Sequence, residues 1–130
     1  MKKEIKVTQK NRYSNDKQII FHGFGKVLDN HDCITMEYIE NNTKASVMIE
    51  AYDTYCLLSR NGEVHTRLKF IKDETTTGYV ESEFGLLELG IHTHKYYKLD
   101  EMIIVEYDIL AGNEVSDGYR IIWKIKESMA

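Results

Sequence analysis

The chain of 130 residues contains no proline. Every backbone N–H past the first residue can therefore donate to a ladder, and no φ is locked by a ring. Long apolar runs are missing as well. No stretch approaches the ~20 consecutive apolar residues that span a bilayer as a helix, so no membrane partner is expected. The opening segment MKKEIKVTQK alternates charged and apolar side chains. It lacks the unbroken apolar stretch of an export signal, which points to a cytoplasmic protein. Cysteine is scarce, with only Cys33 and Cys56. Such a pair could staple a secreted domain, but in a chain read as cytoplasmic the two are expected as reduced thiols. A basic excess is absent too. The formal net charge is −4, whereas a nucleic-acid module usually presents a basic face, so no nucleic-acid partner is expected. Lys2, Lys6 and Lys10 share one strand parity and read as a charged edge.

What is present is alternation. Ile5 and Val7 alternate with Glu4, Lys6 and Thr8, and Ile34, Met36 and Tyr38 with Cys33, Thr35 and Glu37. Ala45, Val47, Ile49 and Ala51 take one parity, as do Val64, Thr66, Leu68 and Phe70. Ile103, Val105, Tyr107 and Ile109 repeat the pattern, followed by Tyr119, Ile121, Trp123 and Ile125. A period of two is the mark of half-buried strands. No segment carries the apolar stripe of a helix.

Turn signals punctuate these runs, at YSND (13–16), DNHD (29–32), ENNT (40–43), RNG (60–62), KDET (72–75) and AGN (111–113). Asn61-Gly62 is the strongest, because a type I′ hairpin turn calls for positive φ at both central residues. Gly23, Gly25, Gly78, Gly85 and Gly90 fall inside strand-like runs, where bulges or sharp bends are expected. Consecutive strands joined by short turns make a meander, and closing a long meander removes its two edges. The expected fold is all-β: one domain over 1–130, a single antiparallel up-and-down β-barrel of 8–10 strands, with a two-sheet sandwich as the alternative.

A set of positions in the second half carries a resemblance. Arg60 and Gly62 form an Arg-x-Gly hairpin, Phe70 ends a strand, and Tyr79 precedes the run Phe84-Gly85-x-Leu87-x-Leu89, which reaches Thr93. Tyr107 follows between apolar residues. This pattern resembles the YwiB-like family of bacterial proteins. It covers the C-terminal half well and the first half only loosely, through HGFGK and MEYIE. Members usually carry a proline before the aromatic-Gly pair, where this chain has Glu83. The resemblance implies a lipocalin-like, calycin β-barrel and implies no activity, cofactor or ligand.

Chemistry is thin. His92 and His94, two apart on a strand, could chelate one ion. Alternation sets them on the face opposite Leu87, Leu89, Ile91 and Thr93, in water, and no third ligand is placed near them. Metal-binding cupins also need a glycine six residues before the first histidine and an acid after the second; here those positions hold Leu86, Lys98 and Leu99. No metal and no cofactor is expected. Cys33 follows Asp32, a setting that raises a thiol's pKa, and Cys56 reads as a buried bystander. The chain has no Gly-x-Ser-x-Gly elbow, Walker loop or HExxH, and Glu106 and Asp108 read as part of a solvated face.

The interior is the better candidate. Tyr38, Phe70, Thr93, Tyr107 and Trp123 are expected to face inward, together with Thr66 and Tyr119. Arg60 stands at a strand end, able to cap an opening. Such a lining suits either a packed core or a pocket for a small, mostly apolar ligand. Three readings follow, the least favoured being a metal-dependent enzyme using His92 and His94. One is a non-enzymatic barrel with a ligand inside. Another is a filled barrel working from its outer face, as an interaction module or homodimer, through Leu86, Met102, Ile104 and Ile122.

Overall fold

The computed structural model describes residues 1–127; residues 128–130 of the expected domain lie outside the described residues. The chain forms ten strands: β1 (Lys2–Asn11), β2 (Lys17–Asp29), β3 (Cys33–Ile39), β4 (Ser46–Tyr52), β5 (Cys56–Asn61), β6 (His65–Phe70), β7 (Thr75–Ser82), β8 (Gly85–Lys98), β9 (Met102–Ala111) and β10 (Glu114–Lys126). Each pairs antiparallel with its chain neighbour, and β1 pairs with β10 from Glu4↔Lys126 to Asn11↔Tyr119. That last ladder closes the sheet and disposes of the sandwich. The described residues include no helix, and so none long and apolar enough to cross a membrane.

Period-two faces map onto the barrel wall. Ile5, Val7, Met36, Val47, Ile49, Ile103, Val105 and Trp123 are all buried inside. The register carries this inner face from strand to strand, as along Val47↔Arg60 and Arg60↔Thr66. One end is packed solid, with Ile5, Cys56, Phe70, Ile91 and Ile103 fully buried. Tyr96 helps close that end, its hydroxyl donating to the Tyr52 carbonyl.

The bulges are not at the glycines. They fall where one strand carries an extra residue: Ile20 in β2, His94 in β8 and Ser116 in β10. The glycines serve close approach instead. A Cβ on Gly25 would stand 2.6 Å from both the Glu37 carbonyl oxygen and Ile5 Cδ1, and one on Gly78 would stand 2.7 Å from Leu68 Cδ2. Gly85, expected as a bend within a strand, begins β8 directly after the Glu83-Phe84 loop, at φ +122°.

The RNG turn also differs from expectation. Neither Asn61 nor Gly62 has positive φ. Asn61 is still in the ladder, opposite His65, and the loop is Gly62-Glu63-Val64. The inner-face register Arg60↔Thr66 sets this spacing, and Gly62 is drawn against Ala45, where a Cβ would come within 3.1 Å of the alanine's own. The two-residue loop Gly112-Asn113 has its glycine at φ +67°, as the first position of a II′ turn requires.

Candidate functional site

The barrel interior is solid at one end and hollow at the other. A cavity of about 620 Å³ opens to solvent near the β3–β4 turn. Its wall is drawn from β1 to β6 and from β9 and β10, so it lies inside the ring of strands. A second concavity of the same volume, bounded by residues such as Arg67, Tyr79 and Leu86, is a groove on the outer face between β6 and the β7–β8 hairpin.

Four of the six interior candidates line the cavity: Tyr38, Arg60, Tyr107 and Trp123. Phe21 and Tyr38 stack with centroids 4.3 Å apart, and Trp123 Nε1 donates to the Tyr38 hydroxyl at 3.2 Å. Burial pushes the Tyr38 hydroxyl up to about 12, so it stays protonated and able to donate. Burial also holds the Tyr107 hydroxyl well above the ordinary phenol range.

Phe70 and Thr93 face inward but do not line the cavity; both are fully buried in the solid end. Phe70 packs against Tyr107, centroids 4.9 Å apart, and forms part of what closes the hollow from below. Thr93 has a buried hydroxyl without a hydrogen-bond partner among the described residues. Its backbone is engaged, the carbonyl accepting from Asp73 N and the N–H donating to the Glu74 carbonyl.

Arg60 stands at the mouth, and its charge is matched. Its Nε donates to Glu40 Oε1 at 3.1 Å, and its Nη2 donates to Glu40 Oε1 at 2.7 Å and to Thr43 Oγ1 at 3.3 Å. Burial alone would raise the Glu40 pKa, but the bonds from Arg60 and Thr43 bring it below the ordinary glutamate value. The sequence pattern marked Arg60 but not Glu40. Their meeting needs the turn between β3 and β4 to fold back over the barrel end, which no local motif announces.

The histidines lie on the outer face, partly exposed and each hydrogen-bonded. His94 is the extra residue of the β8 bulge, and its Nε2 lies 2.8 Å from Asp108 Oδ2. His92 Nδ1 lies 2.9 Å from Thr75 Oγ1, and the two rings meet edge to face at 4.8 Å. No group of three or more His, Cys, Asp or Glu among the described residues is arranged to hold a metal ion.

Asp108 corrects the solvated-face reading. It is 6% exposed, on the outer face of the barrel. The β1–β2 loop crosses the wall above Gly118, where Arg12 N donates to the Gly118 carbonyl. From that loop Arg12 bonds Asp108 and also reaches Glu106, while the Tyr13 hydroxyl donates to Asp108 at 2.9 Å. Burial would raise the Asp108 pKa, yet the bonds from His94, Tyr13 and Arg12 hold it below the ordinary value. Gly118 permits the crossing, since a Cβ there would stand 2.3 Å from Asp108 Oδ1.

Both cysteines are free thiols, and burial raises both pKa values, Cys56 to about 12. Met102, Ile104 and Ile122 are half-buried on the outer wall, not exposed; of the four outer apolar candidates Leu86 alone is exposed.

No curated protein matches the chain. Its fold is similar to that in the crystal structure of the ywiB protein from Bacillus subtilis, with a TM-score of 0.76 over 98% of this chain and 94% of that one, at 19% sequence identity. Residues 4–122 match a family described as a domain of unknown function, DUF1934, and the chain belongs to that family.

Proposed function

We propose that this barrel is a non-enzymatic cytoplasmic carrier, of calycin type, that holds a small, mostly apolar molecule in its interior. The observation that carries the reading is the half-open cavity of about 620 Å³ bounded by Phe21, Tyr38, Tyr107 and Trp123. Ligand pockets generally run from about 300 to 1,000 Å³, mostly apolar with a few placed polar groups. Ten strands favour such a hollow, since about eight already give an interior that side chains just fill. The polar clusters elsewhere are internally matched, which suits structural roles better than turnover.

The test is native mass spectrometry of protein purified from its own host, before and after denaturation. The expected result is an added mass lost on denaturation, and absent from a Thr66→Trp variant whose indole fills the cavity. A bare chain in both would overturn the reading.

A second reading has its own support. Phe84 and Leu86, on the β7–β8 hairpin, are 91% and 59% exposed. An interaction or homodimer face there is the alternative, and the same spectra would reveal a dimer by its mass.

A further inference from the structure

The cavity mouth bears on the kind of ligand. A barrel that carries fatty acids or other anions needs an unmatched cation along its wall, because an anion leaving water must be paired. Among the described residues, Arg60 is the only lysine or arginine on this wall. Its guanidinium is held by Glu40 through both Nε and Nη2, and Thr43 takes a further bond from Nη2. Glu40 is the more buried of the two partners, with its side chain 16% exposed against 32% for Arg60. His22, one position past the inward-facing Phe21, turns its side chain to the outer wall beside Glu4, 3.3 Å away, and offers no charge to the interior. An incoming carboxylate would meet a pair of zero net charge whose negative member is the less exposed.

Inside, the groups on offer suit an uncharged molecule. The Phe21–Tyr38 stack and the Trp123 indole supply flat apolar area. The Tyr38 hydroxyl already accepts from Trp123, so its own proton is the one left to give. That supplies one hydrogen bond to an acceptor but no positive charge to offset an anion's loss of water.

We infer that the cavity selects uncharged, aromatic molecules and excludes anions, with the Glu40–Arg60 pair as the selecting device. This rests on the interior-ligand reading above.

Two probes that share one skeleton separate charge from shape: neutral N-phenyl-1-naphthylamine and its anionic counterpart 8-anilinonaphthalene-1-sulfonate. Trp123, the chain's single tryptophan, reports binding through quenching of its emission. Only sulfonate that displaces the neutral probe is counted, which removes binding to the exposed hairpin. The neutral probe is expected to bind at least about tenfold more tightly, since like charges brought together cost several kcal/mol. Glu40→Gln should tighten the sulfonate by about tenfold relative to the neutral probe measured on the same variant. Arg60→Gln should act in the opposite sense, weakening the sulfonate further, and provides the reading if the first variant fails to fold.

Sulfonate binding as tight as the neutral probe, or unmoved by either substitution, would overturn the charge selection while leaving the cavity reading in place. A neutral probe that does not bind at all would end both.

Discussion

Asp108 shows how one position can reverse its alternation reading. Its parity sets it on the outer face, where a carboxylate is ordinarily wet, yet it is covered by Arg12 and Tyr13 from a loop 95 residues away in the chain. The bonds from His94, Tyr13 and Arg12 outweigh burial and lower its pKa below that of an unfolded aspartate. The sign follows from linkage. A carboxylate with a lowered folded pKa adds stability that is fully present above its unfolded value of about 3.9 and is lost as pH falls toward its folded value. Urea midpoints measured from pH 7 down to pH 3 are therefore expected to drop more steeply for the natural chain than for Asp108→Asn. At pH 7 the variant should be less stable by about 2 kcal/mol, between the values for exposed and buried pairs, because the Arg12 side chain is a quarter exposed. Equal acid slopes in the two chains would mean that Asp108 has no such role. Gly118 stands opposite Asp108 in the ladder, a pairing that only the register reveals. Glu40 and Arg60 pose the same difficulty, since only the loop fold brings them within reach.

At the scale of elements, strand faces were legible and irregularities were not. Alternation assigned the inner faces of β1, β3, β4, β9 and β10 because burial on one side only imposes a period of two. In β8 the single extra residue His94 shifts the phase, so Thr93 and Tyr96 both face inward although they differ in parity. No composition signal marks such a bulge, which relieves a mismatch with the neighbouring strand. The turn after β5 is similar: Asn61-Gly62 suits a I′ turn locally, but register along the inner face moved the loop one residue on. Two alanine substitutions test this. Asn61→Ala should cost under about 0.5 kcal/mol, as for an exposed residue at ordinary φ, whereas a I′ position would cost about 1–2 kcal/mol more. Gly112→Ala, at φ +67° with open space around it, should show that larger cost in chemical denaturation.

The whole molecule is held by its closure. The ladder between β1 and β10 joins the two ends of the chain, so closing the barrel requires contacts that span nearly its full length. Such topology folds slowly, in the range of milliseconds to seconds. With no proline in the chain, no prolyl isomerisation, which takes tens of seconds, should follow that step. Stopped-flow refolding monitored at Trp123 is expected to show no slow phase accelerated by a prolyl isomerase. A phase that such an enzyme accelerates would contradict this.

The sequence by itself determined the fold class, the antiparallel meander and most inward residues, Tyr38, Tyr107 and Trp123 among them. Those depend on local period, turn chemistry and hydrogen-bond capacity, which neighbouring residues carry. The tertiary structure alone decided the strand number, the phase of β8, the Glu40–Arg60 pair at the mouth and the cover over Asp108. It also decided that the interior is solid around Phe70 and Thr93 and hollow beside Tyr38 and Trp123. Whether side chains meet across a barrel depends on its circumference and shear, which are properties of the closed ring and of no single strand.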